Sequence, residues 1–214
     1  MLERQEIKSI GISLALIILN IGMMYLFSFT ALSNVNSIVF DFLIFGMIFY
    51  GIMISLGYYI GQRGIKNDNI SFAIGGVALL LFAYSMFGAG IIGILEQGRF
   101  LVLGVTAGIT LGITLIDSIA AYGTDHDFSR WTYYSLVFFV GGLVTGFTGS
   151  FSGLFALITF VLVLLGWLCD LMYQIWDMKQ EPARTFLNGL GIYVAFMGVF
   201  VHILQIVAEM YLRE

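Results

Sequence analysis

The stretch Gly166–Gln180, GWLCDLMYQIWDMKQ, decides how this chain is read. It closes a long apolar run that begins near Phe151, yet it carries a carboxylate, Asp170, before the run meets water. Asp170, Tyr173, Gln174 and Asp177 recur at i, i+3, i+4 and i+7, so on a helix they share one face. A charge at membrane depth is costly when unpaired, and such residues normally face a bundle interior or a wet cavity. Asp170 is therefore the first candidate for function, and the remaining apolar stretches are candidates for what surrounds it.

The composition supports the membrane setting. Hydrophobic residues make up 60% of the 214 residues and charged residues only 10%, and mean hydropathy is +0.99. A soluble domain carries about 25% charged residues. Twenty-six glycines and one proline fit closely packed helices, and the apolar runs are continuous rather than alternating, which argues against a β-barrel. The net charge of −4 offers no nucleic-acid surface. The lone Cys169 forms no internal disulfide, and no Cys/His cluster has metal-ligand spacing.

A spanning helix needs roughly 20 apolar residues. Seven stretches qualify, at about 10–30, 38–61, 70–95, 100–122, 131–148, 151–177 and 185–211. The predicted fold is thus all-α, a polytopic seven-helix membrane bundle forming a single domain over residues 1–214. Arg4, Lys8, Arg63, Lys66, Arg130, Lys179 and Arg184 fall on one side of these spans, and only Arg99 and Arg213 on the other. The positive-inside rule then predicts a cytoplasmic N-terminus and an external C-terminus, in the plasma membrane. No stretch long enough to form a soluble domain separates the spans.

Three spans carry further signals. In the fourth, Gly104, Gly108 and Gly112 form a small-residue ridge expected to admit a neighbouring helix. Thr106, Thr110, Thr114 and Asp117 lie on roughly the opposite face. Those hydroxyls either line a polar surface or bond their own i−4 carbonyls. The seventh span has a stripe of small and polar residues, Asn188, Gly191, Ala195, Gly198, His202, Gln205 and Glu209, which points that helix at the bundle interior. His202 reads either as a hydrogen-bonded interior residue or as a proton-linked one. The second span ends at Gln62–Arg63, on the side to which Asp117, Asp170 and Asp177 also belong. Arg63 is either a partner for those acids or a headgroup anchor.

Four segments together resemble the transmembrane Bax inhibitor motif family, in its small prokaryotic form. They are YYIGQRGIKNDNISFAIG (58–75), TLIDSIAAYGTDHDFSRW (114–131), LCDLMYQI (168–175) and LGIYVAFMGVFVHILQ (190–205). The resemblance implies a seven-helix bundle with the last helix at its centre, acting as a pH-sensitive calcium leak. It also implies a gate of two carboxylates, one of which pairs with an arginine at the end of the second span. Asp170 matches the first carboxylate and Arg63 the arginine, while Ala195 stands where the second carboxylate would be. Asp117 is the candidate replacement, without support from the resemblance. Calcium takes several hard oxygen ligands, so contact at Asp170 is expected to be weak and transient, with Asp117, Thr114, Gln174, carbonyls and water contributing. No cofactor is expected; calcium and protons are the implied ions, and lipid the implied surroundings.

A second reading is a non-transporting regulator with a membrane-protein partner, since the family is linked to stress tolerance, apoptosis suppression and modulation of a membrane-bound AAA protease. An enzyme is not expected. No G-x-G-D, H-E-x-x-H or G-x-S-x-G motif occurs, and the seventh span has no lysine for a retinal Schiff base.

Overall fold

A backbone in hydrocarbon must satisfy its own N–H and C=O groups, and helices do this within each segment. The computed structural model describes residues 3–41 and 43–213, and among them it contains eight α-helices and no strand. The helices are α1 (Arg4–Phe27), α2 (Val35–Val39), α3 (Leu43–Lys66), α4 (Ile70–Gly93), α5 (Arg99–Gly123), α6 (Trp131–Gly149), α7 (Gly153–Gln180) and α8 (Thr185–Leu212). All but α2 coincide with the predicted stretches, with shifted ends.

Two differences have physical causes. The second predicted stretch is not one helix from residue 38: a 3-10 turn at Ala31–Asn34 and the short α2 come first, and α3 starts at Leu43. Phe42, inside that predicted stretch, lies outside the described residues. Asn36 holds α2 in place by donating to the Phe87 carbonyl at 2.9 Å and accepting from the Tyr50 hydroxyl at 2.5 Å. Phe40, Tyr50 and Phe87 stack beside it. Second, six helices among the described residues are long and apolar enough to cross a membrane, against the seven expected. The exception is α6, which has 19 residues and opens on the polar Trp-Thr-Tyr-Tyr-Ser.

Two compact units divide the chain, one formed by Met1–Ala15 with Gly108–Val199, the other by Leu16–Ala107 with Phe200–Glu214. In the second unit α3 and α4 make a close antiparallel hairpin. Gly57, Gly61 and Gly64 of α3 meet Leu80, Gly76 and Ala73 of α4. A methyl group placed on Gly76 would strike the Gly61 backbone, and one on Gly64 would strike Ala73. Arg99 ties the other end of the same unit. Its guanidinium donates to the carbonyls of Leu95 (2.9 Å), Ser28 (3.1 Å) and Gly93 (3.2 Å) and lies 4.5 Å from the centre of the Phe29 ring. These are carbonyls at helix ends, which carry partial negative charge and accept a cation well.

The connection between α3 and α4 is three residues, 67–69. The Asn69 N–H bonds the Gly64 carbonyl at 2.8 Å and the Asp68 N–H the Ile65 carbonyl at 3.3 Å, a Schellman closure with Asp68 at φ 51°. Asn69 then caps α4 through its side-chain oxygen, which accepts from the Phe72 N–H at 3.1 Å. Glycine occupies the left-handed region without a Cβ penalty. Asp68→Gly is expected to raise stability by about 0.5–1 kcal/mol, read as a higher midpoint in thermal unfolding of the detergent-solubilised protein.

In the first unit α6 and α7 pack through Gly142 against Val163 and Gly166 against Phe139, with a Thr159–Thr145 hydroxyl bond of 2.9 Å. Trp167 of α7 lies on Gly198 of α8, and Ser9 and Ile12 of α1 lie on Gly189. Helix α8 is the most buried of the six apolar helices: 78% of its most apolar window is buried, against 17–44% in the other five. Every residue from Asn188 to Leu204 is buried, so burial extends well beyond the stripe read from the sequence. The glycine ridge predicted in the fourth span is not used this way. Nothing lies within 4 Å of the position of a Cβ on Gly104, Gly108 or Gly112, and all three are exposed.

Candidate functional site

Asp170 sits on α7 between the buried Cys169 and Leu171, and is itself half-buried. One turn on, the Gln174 amide donates to its Oδ1 at 3.3 Å, the contact expected of an i, i+4 pair on one face. Tyr173 and Asp177 on that face are also half-buried. Tyr173 lies near Thr132 of α6, and Asp177 lies in the fields of Glu181 and Arg184, which pair with each other at 2.5 Å. Gln174 is thus the residue of this face that engages Asp170, while Tyr173 and Asp177 have other neighbours.

Asp117 on α5 belongs to the same unit. Its Oδ2 is shut off from water and has no hydrogen-bond partner among the described residues. A buried acceptor left without a donor costs about 1–3 kcal/mol, more if charged. Both Asp117 and Asp170 lie close enough to the Cys169 thiol to act on it electrostatically. No hydrogen bond joins the two carboxyls among the described residues; they share a neighbour instead.

The hydroxyls of Thr106, Thr114 and Ser118 on α5 are committed to their own helix. Thr106 bonds the Val102 carbonyl at 2.7 Å, Thr114 that of Thr110 at 2.8 Å, and Ser118 that of Thr114 at 2.7 Å. Thr114 therefore keeps only its oxygen lone pairs to offer a cation. Among the described residues no three His, Cys, Asp or Glu side chains gather to hold a metal ion. A calcium ion at Asp170 would need Gln174, carbonyls or water to complete its oxygen shell.

The remaining candidates lie in the other unit. His202 is buried in α8. Arg63, at the exposed end of α3, donates to the Tyr59 hydroxyl at 2.8 Å. Arg63 and Asp170 therefore belong to different units, each with its own local partner.

One cluster escaped the sequence reading. Glu6 is 3% exposed, and its Oε1 accepts from the Tyr122 hydroxyl of α5 at 2.5 Å. Lys179 of α7 lies 5.7 Å from the centre of the same Tyr122 ring and donates to the Ala121 carbonyl at 2.8 Å, closing the C-terminal end of α5. The expected first span began at residue 10, which left Glu6 outside it; α1 begins at Arg4. A signal was present. Glu6, Ser9, Ser13, Ile17, Asn20 and Met24 recur at threes and fours, and all are buried, whereas Ile7, Leu14 and Ile18 are exposed. In a membrane helix the small and polar stripe marks the side turned to protein.

Asp127, in the connection between α5 and α6, supplies local structure. The Ser129 N–H donates to it at 2.8 Å and holds its carboxyl below the usual carboxylate range. This is the D-F-S segment of the resemblance, and it acts as a turn before α6. No family model, curated protein or solved structure matches the chain.

Proposed function

We propose that this multi-pass membrane protein passes cations, calcium first among them, and that Asp170 is the proton-linked group with Asp117 supplying the second acid. In this reading α6 also crosses the membrane, giving seven spans around a central α8, and the N-terminus is cytoplasmic. The observation that carries it is the Asp117 carboxyl oxygen, closed off from water without a donor, in the same unit as Asp170 and beside the same thiol. A carboxyl oxygen buried with no partner is a poor structural element and a good transient cation contact.

Calcium entry into liposomes containing the purified protein tests this. Wild-type flux is expected to vary with pH, because protonation removes the charge that attracts the ion. Asp170→Asn fixes that position neutral, so its flux at neutral pH should match wild-type flux in acid and its pH profile should flatten. Absence of flux at every pH removes the proposal. The Arg63 clasp implied by the resemblance is tested by comparing Arg63→Ala, Asp170→Asn and the double variant, which should be non-additive if the pair acts as a unit.

A regulator without transport is the second reading, and Ala195 favours it. Ala195 is fully buried in α8, where the resemblance would place the other gating acid. A chain that passes no calcium yet stays folded would support this reading.

A further inference from the structure

The turn joining α3 to α4 lies at one surface of the membrane, because both helices are long and apolar enough to cross it. An open cleft of about 380 Å³ is formed there, lined by Tyr59, Arg63, Asn67, Asn69 and Phe72 among others. All of these residues belong to one hairpin in one unit. The Tyr59 hydroxyl takes one guanidinium donor of Arg63 at 2.8 Å, leaving four of the five N–H groups that the side chain carries. No carboxylate of this unit is paired with Arg63 among the described residues. Lys66 stands exposed within a turn of it, and the one acid in the turn, Asp68, is exposed as well and is not among the cleft residues. Phe72 of the cleft wall is 54% exposed, and Ile70, next to the capping Asn69, is 75% exposed.

We propose that this cleft binds the headgroup phosphate of an anionic phospholipid, with Arg63 as its principal ligand and the apolar wall receiving the start of an acyl chain. The guanidinium fork matches two phosphate oxygens, and its bond to Tyr59 presets its direction. A free phosphate would satisfy the cation but make no use of the apolar wall formed by Ile60 and Phe72, so the occupant is a lipid. The inference does not depend on ion conduction.

Native mass spectrometry of the detergent-purified protein tests it, with phosphatidylglycerol, phosphatidylcholine and inorganic phosphate added separately. Phosphatidylglycerol should be retained in clear excess over phosphatidylcholine, and inorganic phosphate should neither bind nor displace it. Arg63→Ala should lower phosphatidylglycerol retention about tenfold, Arg63→Lys should restore part of it, and Tyr59→Phe should cause a smaller loss because the ring remains. Equal retention of both lipids, displacement by inorganic phosphate, or wild-type retention by Arg63→Ala would each overturn the proposal. Lys66→Ala, in an exposed position, guards against misfolding: it should weaken retention less than Arg63→Ala, and a reversed order would move the site away from Arg63.

Discussion

Gly76→Leu is expected to destroy the α3–α4 hairpin, while Gly108→Leu leaves the protein folded. At Gly76 a Cβ would collide with the Gly61 backbone, and the neighbouring Gly57 carbonyl blocks it too. Side chains can rotate away from an added group, but two helix backbones can only separate. Separation would also open the contacts of Gly57 with Leu80 and of Gly64 with Ala73, so one substitution unzips the whole seam. Overpacking typically costs 1–3 kcal/mol where side chains can adjust; here, with backbone on both sides, the expected loss is about 3 kcal/mol or more. At Gly108 nothing lies within 4 Å, and leucine is the better helix former. Thermal unfolding in detergent should show a collapse of the midpoint for Gly76→Leu and little change for Gly108→Leu. Equal midpoints would mean that the hairpin is not held by its glycines.

Asp117→Leu is expected to make the protein more stable and its calcium flux smaller. The Oδ2 atom of Asp117 is buried without a donor, so removing the carboxyl removes a desolvation cost of about 1–3 kcal/mol. Replacing a buried, poorly compensated polar group with an apolar one of similar size is often neutral or stabilising. A residue retained only for stability would behave in the opposite way. The combination of a higher unfolding midpoint with lower flux in liposomes is therefore the signature of a residue kept for function. A lower midpoint for Asp117→Leu would show that the carboxyl has a structural role and would remove the second acid from the proposed pathway.

The two predictions show how unevenly this protein can be read. Helix positions follow from the sequence because they depend on local facts. Continuous apolar runs must form helices in lipid, and they break where Asn67-Asp68-Asn69 or Glu181-Pro182 interrupts them. The Asp170–Gln174 contact was legible for the same reason, since a spacing of four places both residues on one face of a single helix.

Facing was harder to read. The sequence drew attention to Gly104, Gly108 and Gly112, spaced by fours, but the packed ridge is Gly57, Gly61 and Gly64, spaced by four and then three; both spacings keep glycines on one helix face. It also left Glu6 outside the first span, although that residue is 3% exposed and bonded to Tyr122, 116 positions away.

From the sequence alone came the all-helical membrane class, the positions of the long helices to within six residues and the choice of Asp117 and Asp170 as acids placed within apolar segments. Tertiary structure alone decided which glycine seam closes, that the Asp117 Oδ2 is left without a donor among the described residues, and that Lys179 caps α5 rather than standing free. The reason is the solvent. In water an apolar stripe tells inside from outside, whereas lipid is as apolar as the protein core, and side-chain type alone does not say which of the two a helix face meets.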